Sequence, residues 1–74
     1  MITKKYLQEK LSIIKLNADR IGKNLHSLWI RSEGGYYVIA ESGDNEHYYR
    51  EFSPWMSNRE INSWLDGFRK GMNQ

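Results

Sequence analysis

The sequence predicts an α+β fold in the order αβββα, a three-stranded antiparallel meander packed with an N-terminal and a C-terminal helix. Three observations predict it. Apolar residues recur with helical period near both ends of the chain. Between them lie three runs rich in β-branched and aromatic residues, which hold most of the three Trp, five Tyr and two Phe. Two breaks, "EGG" and "SGDNE", separate those runs with residues suited to turns. At 74 residues the chain is expected to be a single α+β domain spanning 1–74, without linker, repeat or low-complexity tract. A chain this short buries only about 60–65% of the surface its unfolded form exposes, so large side chains are needed to fill the core.

The first helix is expected over about 3–21. Leu7, Leu11, Ile14, Ala18 and Ile21 step by four and three, and Thr3 is suited to the N-cap. Ile13 and Leu16 fall on the opposite side of one continuous helix. A break near 15–17, at "KLN", removes the conflict, with Asn17 capping a second short turn over Ala18–Ile21 and Gly22 ending it. That second piece is too short to lie in a major groove, which argues against a helix-turn-helix reader.

Strands are expected at about 27–32, 36–41 and 47–52. Gly34-Gly35 can adopt the positive φ angles of a two-residue hairpin loop, and Pro54 ends the third strand. The last helix, about 58–71, has the best-specified start. Ser57 and Glu60 have capping-box spacing, with Met56 and Ile61 at the hydrophobic-staple positions. Ile61, Trp64, Leu65, Phe68 and Met72 form its apolar stripe, and Gly67 suggests a close approach to the sheet.

A two-residue loop at Gly34-Gly35 sets Ile30 opposite Ile39 and Trp29 opposite Ala40. A three-residue loop at Gly43-Asp44-Asn45 then sets Ile39 opposite Tyr49, Ala40 opposite Tyr48 and Val38 opposite Arg50. One face carries Leu28, Ile30, Tyr37, Ile39 and Tyr49. The other carries Trp29, Arg31, Tyr36, Val38, Ala40, Tyr48, Arg50 and Phe52. A one-residue slip in the second hairpin moves the third strand's rings to the other side. With both helices on the Leu28/Ile30/Ile39 face, the opposite face presents rings beside Arg31 and Arg50, a patch of the kind that meets a partner. The alternative is a helix over this face as well, or a meander that curls on itself.

Composition excludes several classes. There is no cysteine, hence no disulfide, thiolate metal site or Cys nucleophile. No apolar run approaches the ~20 residues of a membrane span. "MITKKYLQEKL" has scattered charges and no apolar h-region, so no signal peptide is expected and a cytoplasmic location is the default. The net charge of +2 hides an asymmetry. Residues 1–31 hold seven basic and two acidic residues, while residues 32–74 hold four basic and seven acidic ones. The basic end suits a solvated helix face or an anionic partner.

No chemistry-bearing motif emerges. There is no P-loop and no GxGxxG, and the glycines at 34, 35 and 43 fit turns. His26 and His47 lack metal-ligand spacing. Glu41, Glu46 and Glu51 can approach across the second hairpin, but acids beside an exposed turn are ordinarily solvated. Ser42, Ser53 and Ser57 have no base at a readable spacing. The expectation is no enzyme, no catalytic residue, no metal, no cofactor and no small-molecule substrate.

The αβββα order is similar to that of the double-stranded-RNA-binding domain in topology only. The lysine-rich start of that domain's second helix is replaced here by "MSNREINSW". The stretch "YYVIAESGDNEHYYREFS" followed by a capped helix ending "WLDGFRKGMNQ", across residues 36–74, resembles small α+β proteins of phages and mobile elements. That resemblance implies binding, often of a host enzyme or defence protein. The expected function is therefore a small non-enzymatic binding protein with a protein partner or a second copy of itself. Trp29, Tyr36, Tyr48 and Phe52 would be its apolar anchors, and Arg31 and Arg50 its charged contacts. The rival is nucleic acid, bound by the same rings or by Lys4, Lys5, Lys15 and Lys23.

Overall fold

The computed structural model describes residues 1–42 and 49–72. Helix α1 (Lys4–Arg20) leads into β1 (Leu28–Glu33), β2 (Tyr36–Ser42) and β3 (Tyr49–Glu51), and α2 (Asn58–Met72) follows. The three strands form one antiparallel sheet in the order β1-β2-β3. The architecture is αβββα, of the α+β class. No helix among the described residues is long and apolar enough to cross a membrane.

Thr3 caps α1, its hydroxyl accepting the Tyr6 N–H at 3.1 Å. The helix runs without interruption through 15–17, so the break expected there does not occur. Ile13 and Leu16 instead stand on its outer side, 49% and 62% exposed. A break would have freed backbone groups that need new partners, whereas the unbroken helix leaves two apolar side chains in water. Gly22, at φ 79°, follows the C-cap, and the Lys23 N–H closes the end on the Ala18 carbonyl at 2.8 Å.

Gly34 and Gly35 have φ of 58° and 84° and make the first hairpin loop. Ile30 therefore faces Ile39 and Trp29 faces Ala40, as the two-residue loop requires. The second hairpin differs from expectation. Ala40 pairs with Glu51, Glu41 with Arg50 and Ser42 with Tyr49. The pairing is three residues out of the expected register, and the loop lies at 43–48, outside the described residues. An odd offset exchanges the faces. Tyr49 moves to the side away from the helices, and Arg50 and Phe52 move to the helix side.

Past β3 the chain makes a bulge and then rejoins β2, where Met56 pairs with Tyr37 through N–H···O bonds of 2.7 and 2.8 Å. Within the bulge the carbonyl of Ile39 accepts N–H groups from both Phe52 and Ser53, and the Ser53 hydroxyl accepts the Ile39 N–H.

Both helices pack on one face of the sheet. The core combines Leu7, Leu11, Ile14 and Ala18 of α1 with Leu28, Ile30 and Ile39 of the sheet, then Met56, and Ile61, Leu65 and Met72 of α2. At its margin the Phe52 ring meets Trp64 and Phe68 edge-on, with centroids at 6.1 and 5.8 Å, and these two stack on each other. The capping box of α2 forms as its spacing requires, with Ser57 and Glu60 exchanging N–H···O bonds. Gly67 makes no close approach: a Cβ there would meet nothing within 4 Å.

Candidate functional site

The sheet face opposite the helices is built from alternate residues. Trp29, Arg31 and Glu33 come from β1, Tyr36, Val38, Ala40 and Ser42 from β2, and Tyr49 and Glu51 from β3. Alternation back from the core residue Met56 adds Trp55. Val38 and Ala40 are fully buried although no helix covers them. Arg31 stands directly across from Val38, and Trp29 across from Ala40. The larger side chains of this face thus roof over the smaller ones.

At one end, Trp29, Tyr49 and Arg31 form a cluster. The Trp29 and Tyr49 rings meet edge-to-face at 5.7 Å. The Trp29 indole N–H donates to Ser42 Oγ at 3.0 Å, which fixes the ring on the sheet. The Arg31 guanidinium lies over the Tyr49 ring, 4.9 Å from its centroid. Its contact with Glu33 is long, at 3.5 Å, and its Nε is buried against the sheet with no hydrogen-bond partner among the described residues. The guanidinium is held over the ring with only that long contact on its terminal nitrogens, which suits a charge-assisted contact with a carboxylate. At the other end, Glu33, Tyr36 and Trp55 line an open hollow of about 210 Å³. Tyr36 is 56% exposed.

Of the residues expected to meet a partner, the structure brings Trp29, Arg31 and Tyr36 to this face. Arg50 is on the other side, paired with Glu41. Hydrogen bonding and charge from that carboxylate raise the Arg50 pKa. Phe52 is also on the other side, against α2. Tyr48 lies outside the described residues. Sequence reasoning missed Tyr49, because the second loop was set too short. It also missed Trp55, although the staple position of Met56 carried the signal.

The four lysines of the rival reading do not converge. Lys4 and Lys5 open α1, and Lys23 follows its end, so the length of the helix, about 25 Å for 17 residues, separates them. Lys15 lies along the helix flank with its ammonium 3.5 Å from the His26 carbonyl, and partial burial lowers its pKa.

The acids expected to approach one another are separated. Glu41 and Glu51 are on opposite faces, and Glu46 lies outside the described residues. His26 pairs with Asp19 at 3.0 Å, and His47 lies outside the described residues. Ser42, Ser53 and Ser57 are occupied by Trp29, Ile39 and the α2 cap respectively. Among the described residues no three His, Asp or Glu side chains gather as a metal site would need. Comparison of this chain with family models, curated proteins and solved structures finds no match.

Proposed function

We propose that this chain is a small non-enzymatic binding protein of the phage or mobile-element kind. Its open sheet face docks a protein segment that brings a carboxylate to Arg31 and an apolar side chain to the Tyr36–Trp55 hollow. The observation that carries the reading is the Arg31–Tyr49 stack beside Trp29. It is an aromatic and guanidinium surface on the face that both helices leave uncovered. Aromatic residues and Arg supply most hot-spot energy in protein interfaces. The same geometry weighs against nucleic acid. Base stacking needs free ring faces, whereas Arg31 lies over one face of Tyr49 and Trp29 meets the same ring at a steep angle, so Tyr49 is occupied from two directions.

The test is capture from the native host with the intact chain, with Arg31→Gln and with Tyr36→Ser, each with and without nuclease. A nuclease-resistant protein held by the intact chain and released by both substitutions supports the reading. Retention through both substitutions overturns it. So does binding that nuclease abolishes, or that weakens as a steep power of salt concentration.

A further inference from the structure

The outer side of α1 carries a second surface, remote from the open sheet face. Glu9, Ile13, Leu16 and Arg20 are spaced four, three and four residues apart and line one stripe of the helix. All four are exposed. They stand directly opposite the stripe of Leu7, Leu11, Ile14 and Ala18 that enters the core. A groove of about 310 Å³, lined in part by Tyr6, Ile13 and Arg69, runs beside the stripe between α1 and α2.

A 4-3-4 spacing reads the same in both directions. When two such helices lie antiparallel about a two-fold axis, Ile13 falls beside the second copy's Leu16, and Glu9 beside the second copy's Arg20. Each contact then occurs twice, and the two helix dipoles oppose favourably. A parallel pairing would instead set Glu9 against Glu9 and Arg20 against Arg20. The charges therefore select the antiparallel arrangement as well as permitting it.

We propose that α1 is a self-association surface, and that the chain forms an antiparallel two-fold dimer through Ile13 and Leu16 flanked by Glu9–Arg20 pairs. This is independent of what the sheet face binds. It gives Ile13 and Leu16 a role that a lone copy lacks. Two helices of this length bury on the order of 800–1,000 Å² in total, below the ~1,200 Å² of stable interfaces, so the dimer is a weak, transient one.

Sedimentation equilibrium of the intact chain from micromolar to millimolar concentration tests this directly. The expected result is a monomer–dimer equilibrium that Leu16→Lys abolishes. Glu9→Arg and Arg20→Glu should each weaken it by about tenfold, since two pairs turn repulsive. The double variant carrying both should restore it. Circular dichroism confirms that these surface variants stay folded. A chain that remains monomeric at millimolar concentration overturns the proposal. So does a dimer that survives Leu16→Lys, or one that Tyr36→Ser disrupts in its place, or charge reversals whose combination fails to rescue.

Discussion

The buried hydroxyl of Ser53 accepts the Ile39 N–H at 2.9 Å and donates to the Pro54 carbonyl at 3.1 Å. It stands where a ladder hydrogen bond would be, at the point where the chain leaves β3 and before Met56 rejoins β2. This one side chain spans the bulge that leaves Phe52 on the helix side and Trp55 on the open face.

Ser53→Ala should therefore destabilise the protein by about 1–3 kcal/mol, because it leaves the Ile39 N–H buried without a partner. Urea unfolding measures the loss. A midpoint unchanged from the intact chain would show that the bulge holds without the hydroxyl.

Two glycines should respond to alanine with opposite signs. Gly67 is exposed in α2 with open space where a Cβ would sit, so Gly67→Ala should stabilise by up to ~1 kcal/mol. Gly35 also has open space, but its φ of 84° strains any L side chain. Gly35→Ala should cost about 1 kcal/mol. Thermal melts of both variants check the contrast, which separates backbone conformation from packing.

The α2 cap should make stability depend on acid. The Glu60 carboxylate accepts the Ser57 backbone N–H, and the Ser57 side chain also bonds within the cap; both hold its pKa below the ordinary value of 4.5. A depressed carboxylate stabilises the fold above its unfolded pKa and loses that contribution as pH falls through its folded pKa. The intact chain should thus melt higher than Glu60→Gln at pH 7, with the gap closing below about pH 4. Equal gaps at pH 7 and pH 3 would sink this account.

The helices are tied together by Lys10. Its ammonium reaches Asp66 Oδ1 and Asn62 Oδ1, each at 2.6 Å, with the lysine side chain only 15% exposed. A double-mutant cycle on Lys10→Met and Asp66→Asn should give a coupling of about 0.5–1 kcal/mol, at the upper end for a partly exposed pair. Coupling within error of zero would mean that the lysine acts only through its apolar stem.

The α2 start and the first hairpin were legible in the sequence because each is set by residues close together in the chain. Ser57 and Glu60 fix a cap from three residues apart, and Gly34-Gly35 fix a register from two. The αβββα order followed from periodicity, which needs only local residues. The second hairpin was not legible in the same way. "SGDNE" is compatible with loops of several lengths, and its true length is set by where Tyr49 and Phe52 find partners in Trp29 and α2.

What the sequence alone determined is the element order, the core stripes of both helices apart from Ile21, which sits at the C-cap and is exposed, and three members of the candidate face: Trp29, Arg31 and Tyr36. What only the tertiary structure decided is which side each third-strand residue takes, and that Ile13 and Leu16 remain in water on an unbroken helix. The reason is physical. A strand's side assignment flips with a single-residue change in pairing, and a helix's continuity depends on the balance between hydrogen bonds kept and apolar area exposed. Neither is fixed by neighbours along the chain.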